Sequence, residues 1–359
     1  MGTSVGYRRL VIPRPRVRLR RALVAASIAL LLGVAAACGG ASGGSASGQP
    51  KLTTVTLALD WTPNTDHTGF YVADTLGYYR QAGIRLKILP YGSTTPDTLV
   101  SAGKADFGIS FQDIVAYDRA AGLGVTSVTA ILQHTASVIA VSPSSGITRP
   151  RQLDGKIYAG FGGPAEVPSL QAVIRADGGQ GKFRTVTLNT SAYDAVYAHR
   201  ADFAIPLVTW EVIDARLRGK PLRQFAFTDY GFPDRYEVVM IGRNSLLSGN
   251  PDLARRFVGA TARGFAYAAA HPDAGADILI KDNPGAFNDQ RLPRESAELM
   301  AKSFYLDSRG NFGPQTLAMW SNYTNFLYSA GLLVDGKGHK LTTKPDVSGW
   351  FTNAYLPGS

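Results

Sequence analysis

The sequence is poor in cysteine: among its 359 residues, Cys38 is the only one. A disulfide framework and a cysteine-rich zinc site are therefore excluded. Acidic residues are absent from the first 37 positions, which carry seven arginines. Seven of the formal +10 charges thus lie in this leader, and +3 remain for the rest of the chain. The basic composition therefore gives little support to nucleic-acid binding, and we expect no nucleic-acid partner.

The leader consists of a basic stretch followed by a short apolar run. That run covers residues 22–37 and is shorter than the roughly 20 residues that a membrane-spanning helix needs. Small residues directly precede Cys38, so the leader resembles a bacterial lipoprotein signal. This resemblance implies that residues 1–37 are a signal peptide and that Cys38 is acylated, with palmitate for example, and held in the cell membrane on the extracytoplasmic face. An uncleaved anchor helix is the alternative. Residues 38–50, rich in glycine and serine, are predicted to be a flexible tether.

The body of the chain alternates short β-type runs with segments of helical spacing, which favours an α/β fold with parallel-rich sheets flanked by helices. The predicted strands are residues 54–59, 86–89, 107–110, 128–132, 138–141, 156–159, 185–188, 203–205, 224–227 and 238–241. The C-terminal third is predicted to be mostly helical. We expect two lobes: lobe 1 from residues 51–145 and 238–359, and lobe 2 from residues 146–237. Two crossings between them would form a hinge, with the ligand cleft between the lobes.

Two seven-residue segments echo each other. Residues 103–109 (GKADFGI) and 199–205 (HRADFAI) share an Ala-Asp-Phe core at the entry to a predicted strand. A chance match is one explanation. The other is that each lobe contains the same structural unit.

Several segments resemble a known family. They are residues 60–70 (DWTPNTDHTGF), 77–84, 105–112, 160–166, 210–211 and 229–234. Together these segments resemble the thiamine-pyrimidine-precursor family, which is NMT1/THI5-like and SsuA-like. The resemblance implies a two-lobed fold of the periplasmic-binding-protein type II class. It also implies a non-enzymatic, monomeric, extracytoplasmic solute-binding component of an ABC importer. Its partners would be the permease and ATPase subunits, its ligand a small planar aminopyrimidine, and it would need no cofactor.

Aromatic and polar residues in these segments form a candidate binding site. Trp61 and Trp210 each follow a strand-like run, one in each predicted lobe, and could stack on both faces of a flat heterocycle. Glu211 could accept hydrogen bonds from ring amines, and Asn64 and His67 could bind a ring edge. Each of these residues also has a structural explanation, as a core, turn or capping residue. The full set of candidate ligand-binding residues is Asp60, Trp61, Asn64, His67, Ser110, Gln112, Glu166, Trp210, Glu211 and Tyr230.

A glycine-rich loop adds a second candidate element. Residues 160–164 (GFGGP) precede a predicted helix that begins near Glu166, an arrangement in which backbone N–H groups can approach a ligand. Glu166 could equally be a helix-capping residue. No Gly-Lys-Ser/Thr follows, so the loop is not a P-loop. Ser110 and Gln112 follow a strand end, and Tyr230 lies near the second predicted crossing.

Other functions remain open at this stage. Relatives in the wider group bind riboflavin or alkyl sulfonates. A yeast-type branch of the family consists of enzymes that make a pyrimidine phosphate with a histidine, a lysine-bound pyridoxal phosphate and iron. This chain lacks the cysteine-rich run of that branch, and its five histidines form no metal-spaced cluster. A sensor that reports ligand occupancy to a membrane receptor would use the same clamp as an importer.

Overall fold

The computed structural model describes residues 52–358. The predicted signal peptide at residues 1–37, the predicted acylation site Cys38 and the predicted tether at residues 38–50 lie outside the described residues. Within residues 52–358, no helix combines the length and the apolar character needed to cross a membrane.

Ten short strands form two mixed sheets of five strands each. Each of the ten overlaps a strand predicted from the sequence, because each is a short β-branched or aromatic run between turn residues. The strands are β1 Thr53–Ala58, β2 Ile84–Leu89, β3 Phe107–Ser110, β4 Val125–Ala130, β5 Val138–Val141, β6 Ile157–Gly160, β7 Arg184–Thr187, β8 Phe203–Ala204, β9 Arg223–Ala226 and β10 Val239–Arg243. Sheet A has the order β2-β1-β3-β10-β4, and sheet B has the order β7-β6-β8-β5-β9. The α/β fold class is confirmed.

The two sheets share one topology. In each, three strands pair in parallel, and the fourth position is an antiparallel strand that the chain reaches by crossing from the other sheet. These strands are β10 in sheet A and β5 in sheet B. Strand β5 at Val138–Val141 belongs to sheet B, although it precedes the boundary that the sequence predicts at residues 145/146. The four apolar residues of β5 would suit a strand of either sheet, so the sequence alone could not assign β5 to one of them. Strand β10 begins at Val239, directly after the predicted second boundary at residues 237/238.

The echoed segments occupy equivalent places in the two sheets. Asp106 lies at the entry to β3, and its Oδ2 accepts a hydrogen bond from the Thr56 backbone N–H of β1 at 2.8 Å. Asp202 lies at the entry to β8, and its Oδ2 accepts one from the Ile157 N–H of β6 at 2.7 Å. In both sheets the aspartate thus ties the third strand to the first. The Ala-Asp-Phe echo is a structural repeat and does not belong to the ligand site.

Twelve helices within residues 52–358 flank the sheets. They are α1 Thr68–Thr75, α2 Tyr78–Gln81, α3 Pro96–Ser101, α4 Gln112–Ala120, α5 Glu166–Ala176, α6 Ser191–Tyr197, α7 Glu211–Leu217, α8 Asn244–Gly249, α9 Pro251–Ala270, α10 Pro272–Asp282, α11 Arg291–Ser303 and α12 Leu317–Ser329. The predicted helical character of the C-terminal third is confirmed. Asn250 caps α9 by accepting from the Leu253 N–H, and Pro251 occupies the first turn, where its missing N–H costs nothing.

Close packing of α1 on α9 fixes the segment that precedes α1. A Cβ added at Gly264 of α9 would lie 2.0 Å from the carbonyl oxygen of Gly69 in α1, so only glycine allows this approach. Phe265 packs edge-on against Phe70, with ring centroids 5.2 Å apart. The chain just before α1, which follows β1, is therefore held rigidly against the core of sheet A.

Candidate functional site

A cavity of about 410 Å³ lies where strands of both sheets end. Asp60 and Phe111 line it from the ends of β1 and β3, while Phe161 and Ile205 line it from the ends of β6 and β8. The carboxyl ends of parallel strands are where α/β proteins bind ligands. Of the ten candidate residues, six line this cavity: Asp60, Trp61, Asn64, Glu166, Trp210 and Glu211.

The loop after β1 is organised around a buried histidine. The Asn64 backbone N–H donates to Nδ1 of His67 at 3.3 Å, so the other ring nitrogen, Nε2, carries the proton and donates to Oδ1 of Asp60 at 2.8 Å. His67 is 0% exposed and lies behind the cavity wall. The structure therefore places His67, a predicted ligand contact, outside the cavity wall, where it orients Asp60, which does face the cavity. Sequence alone could not tell these roles apart, because His67 stands in the same motif as true wall residues.

Aromatic rings form one side of the cavity. The Trp61 ring lies 4.9 Å from that of Tyr91 and 6.2 Å, edge-on, from that of Phe161. Phe161 in turn lies 5.9 Å from Tyr193 of α6. This row begins beside sheet A and ends beside sheet B. Sequence reasoning found Trp61 but missed Tyr91, Phe161 and Tyr193, since isolated aromatic residues carry no signal of a shared wall.

Trp210 and Glu211 enter the same cavity at the start of α7. The Trp210 ring lies 6.1 Å from Phe287, in the segment between α10 and α11. Glu211 is the first residue of α7 and accepts a hydrogen bond from the Leu207 N–H at 3.0 Å. Burial raises the pKa of Glu211 to about 7. Trp61 and Trp210 thus share one hollow, although within residues 52–358 no ring contact joins them, and a guest sandwiched between them remains a prediction.

The glycine-rich loop is closed by its own glutamate. Glu166, the first residue of α5, accepts hydrogen bonds from the N–H groups of Phe161, Gly162 and Gly163 at 2.9–3.2 Å. Its Oε2 also accepts from the Tyr158 hydroxyl at 2.8 Å. The loop donors that would bind an anion are therefore occupied by this carboxylate. Glu166 faces the cavity but acts first as the residue that shapes the loop.

Three other candidates lie away from the cavity wall. Ser110 is 1% exposed and donates to Asp97 Oδ1 at 2.6 Å. Gln112 is fully buried, and its Oε1 accepts from the Tyr236 N–H at 2.8 Å, which ties α4 to the second crossing. Tyr230 ends the 3₁₀ turn Phe227–Tyr230 and packs, partly buried, against an apolar core cluster. The structure thus places these three predicted contact residues outside the cavity wall, where they make structural contacts.

A buried ionic network at the two crossings also reaches the cavity. Glu237 accepts from the Ala136 and Ser137 N–H groups at 3.0 and 3.1 Å, which joins the second crossing to the first. Arg235 donates to Glu237 Oε1 at 2.5 Å and to the Tyr323 hydroxyl of α12 at 2.6 Å. Arg235, Glu237 and nearby Asp113 line the cavity. Sequence reasoning missed all three because Asp113 lies in α4 and the other two lie in the second crossing, more than 120 residues later, and only the fold brings them together.

A family profile described as NMT1/THI5 like matches residues 64–275. The chain belongs to the NMT1/THI5-like family. The matched region begins at Asn64 in the loop after β1 and includes the glycine-rich loop and the Trp210-Glu211 pair, so the predicted family resemblance is confirmed.

Named relatives in this family include binding proteins and enzymes. The chain is 26% identical to a formylaminopyrimidine-binding protein of Halalkalibacterium halodurans, over 79% of this chain and 87% of that protein. It is 28% identical to a 4-amino-5-hydroxymethyl-2-methylpyrimidine phosphate synthase of Legionella pneumophila, over 64% of this chain and 74% of that one. It is 24% identical to the riboflavin-binding protein RibY of Chloroflexus aurantiacus, over 86% and 88%.

Solved structures share the fold of this family member. An alkanesulfonate-binding protein SsuA of Xanthomonas axonopodis, bound to MOPS, aligns with a TM-score of 0.61 at 14% identity, over 83% of this chain and 98% of that one. A Candida albicans protein described as having the generic periplasmic binding protein fold gives 0.60 at 15% identity, over 84% and 97%. A ligand-binding component of an ABC-type import system of Staphylococcus aureus gives 0.63 at 13% identity, over 84% and 97%. The predicted periplasmic-binding-protein fold is confirmed.

The charges of the cavity wall differ from those of an anion-binding site. Six carboxyl groups line the cavity, and Arg235 is the one basic residue among the lining residues that the structure describes. The guanidinium group of Arg235 is already held by Glu237 and Tyr323. The site is therefore suited to hydrogen-bond donors and positive charge, and opposes a negatively charged guest.

The raised pKa of Glu211 predicts how stability depends on pH. Burial also raises the pKa of Asp97, with the negative charge of Asp118 adding to the effect. The folded protein then keeps protons that the unfolded chain loses near pH 4, so the free energy of unfolding falls as pH rises from about 4 to about 7. We expect the melting temperature of the ligand-free protein to be several degrees higher at pH 5 than at pH 8. The measurement is a thermal melt at each pH.

The variant Glu211→Gln isolates one contribution to this slope. It removes the titrating carboxyl and keeps a side-chain oxygen that can accept from the Leu207 N–H. We expect a smaller difference in melting temperature between pH 5 and pH 8, with the part due to Asp97 remaining. A melting temperature that rises over this interval in the native protein would contradict the assignment.

Proposed function

We propose that this protein is the extracytoplasmic solute-binding component of an ABC importer and that its cavity binds an aminopyrimidine of the thiamine-precursor type. The observation that carries the proposal is the composition of the cavity wall: aromatic rings for a flat heterocycle, beside carboxyl groups for its amino and ring N–H groups. The name of the Halalkalibacterium halodurans relative supports the same ligand class. Acylation at Cys38 would hold the protein at the membrane beside its permease.

The two sheets would act as the two jaws of a clamp. Trp61 and Asn64 reach the cavity from beside sheet A, whereas Phe161, Trp210 and Glu211 reach it from beside sheet B. A ligand that touches both sides has a higher affinity for the closed form than for the open form, and it therefore shifts the equilibrium between them. The closed form is the one that the permease would recognise.

An alkyl sulfonate fits this wall less well than a pyrimidine. The sulfonate-binding neighbours share the fold at about 14% identity, which carries no information on ligand chemistry. In this cavity the N–H groups of the glycine-rich loop are taken by Glu166, and the arginine is taken by Glu237. Riboflavin is a stronger alternative ligand than a sulfonate, because its flat ring system can stack on the aromatic wall as a pyrimidine ring can.

The synthase reaction is opposed by two features of the chain. His67, which stands at the motif position of the enzyme's histidine, is fully buried and bonded to Asp60 and Asn64. No lysine is found among the described residues that line the cavity, so none is placed there to carry pyridoxal phosphate. These observations favour binding without chemical conversion.

A thermal-shift panel tests the ligand class. An aminopyrimidine carrying a 5-substituent, riboflavin and an alkanesulfonate are each titrated against the protein. We expect the pyrimidine to raise the melting temperature in a concentration-dependent way, by an amount equivalent to about 2.7 kcal/mol at 100 times Kd. Stabilisation by the sulfonate or by riboflavin, with none by the pyrimidine, would overturn the proposed ligand.

A further inference from the structure

Asp66 differs from the other carboxyl groups of the cavity. It lies in the 3₁₀ turn Thr65–His67, is 5% exposed, and lines the cavity. Its backbone N–H donates to Asn64 Oδ1 at 2.8 Å. Its carboxyl oxygens have no hydrogen bond and no ion pair with any residue that the structure describes.

Every other carboxyl group of the wall already has a protein partner. Asp60 accepts from His67, Glu166 from Tyr158, and Glu211 from the backbone of Leu207. Asp113 and Glu237 share Arg235, at 3.6 and 2.5 Å. The guanidinium group of Arg235 is thus committed, and no other described wall residue carries a positive charge that Asp66 could use.

A buried carboxyl group without a partner is costly, so it is held as the neutral acid until a partner arrives. Burial raises the pKa of Asp66 well above its usual range, and the charges of Asp60, Glu211 and Glu237 add to this effect. A cation placed beside Asp66 would remove the cost, because it supplies the missing hydrogen-bond donors and the opposite charge. Among the described residues that line the cavity, none offers such a cation at this place, so a cationic ligand would supply it.

We propose that the cavity binds its aromatic ligand as a cation and that the Asp66 carboxylate pairs with a protonated amino group of that ligand. The inference rests on the proposed function and makes it more specific. Among pyrimidines, it selects those with a free aminomethyl substituent over those in which the same nitrogen is formylated. Formylation keeps the ring and removes the positive charge. A comparison of the two compounds therefore separates the contribution of the charge to the affinity from that of ring stacking.

The test compares one pair of ligands on the native protein. A 4-aminopyrimidine with a 5-aminomethyl group and its N-formyl derivative are titrated by calorimetry at neutral pH. We expect the free amine to bind at least tenfold more tightly, because it alone can form the charged hydrogen bond. Equal or tighter binding of the formyl derivative would overturn the inference and leave the proposed ligand class intact. Failure of both compounds to bind would overturn the proposed ligand class, and this inference with it.

The variant Asp66→Asn assigns the selectivity to one residue. It keeps the shape of the side chain and removes the charge, and we expect it to weaken binding of the free amine by roughly 30-fold or more. Binding of the formyl derivative should change less than threefold. The control Asp252→Asn removes the same charge from the exposed face of α9 and should change neither affinity. Undiminished binding of the amine by folded Asp66→Asn would show that Asp66 is not its partner.

Discussion

Replacing Trp61 or Trp210 by alanine is expected to lower ligand affinity by a factor of about 30 or more and to leave the ligand-free protein nearly as stable as before. Each ring covers part of the cavity wall, and loss of its contact area and stacking costs about 2 kcal/mol or more of binding free energy. Both rings are only partly buried in the absence of a guest. Calorimetric titration and thermal melts of the same samples measure the two quantities.

Trp320→Ala is the matched control for these variants. Trp320 lies in α12, is 0% exposed, and donates from Nε1 to Gln315 Oε1 at 3.1 Å. Its removal should lower the free energy of unfolding by about 3–5 kcal/mol, as expected for a large core side chain. If Trp61→Ala lost stability like Trp320→Ala and kept its affinity, the ring would belong to the core and the cavity assignment would fail.

The variant Glu237→Gln is expected to lower the free energy of unfolding by about 3–5 kcal/mol. Glu237 is 2% exposed and holds Arg235, Ser137 and the Ala136 backbone at the point where the two crossings meet. Without its charge, the guanidinium group of Arg235 is left in a buried place with a weaker partner. Urea denaturation followed by circular dichroism measures the change.

Two further variants serve as controls for the expected stability loss of Glu237→Gln. Asp252→Asn removes a charge from an exposed pair on α9 and should change stability by no more than about 0.5 kcal/mol. The double variant Arg235→Met with Glu237→Gln removes both charges and keeps a side-chain oxygen that can accept from the Ala136 and Ser137 N–H groups. It should recover part of the loss, since no buried guanidinium group is then left without its carboxylate. A loss below about 1 kcal/mol in the single variant would show that the network contributes little to stability.

Local patterns were sufficient for most of the fold. Each strand was recognisable because a short apolar or β-branched run is bounded by turn residues, and α9 was recognisable from its amphipathic spacing over residues 251–270. The sheet to which β5 belongs was not recognisable. That assignment depends on pairing with Phe203 and Phe225, which lie more than sixty residues away along the chain, and no local pattern encodes it.

For the candidate site, too, local patterns predicted some residues and not others. Trp61, Trp210 and Glu211 were found because they follow strand ends in recognisable motifs, and all three line the cavity. His67 and Asp66 are neighbours in one of these motifs, yet the turn from Asn64 directs the histidine into the protein and leaves the aspartate on the wall. The orientation of single side chains within a turn depends on its hydrogen bonds, which the sequence does not display.

The strand exchange between the sheets has a consequence for biosynthesis. Strand β4 pairs along its length with β10, and its one other bridge joins Ser127 to Phe351, so both partners are made after the whole of sheet B. A growing chain that has reached only β9 carries β4 without a strand partner, and an unpaired strand can pair with other chains and aggregate. Completion of sheet A must therefore wait for Val239–Arg243, which is made only after the last strand of sheet B.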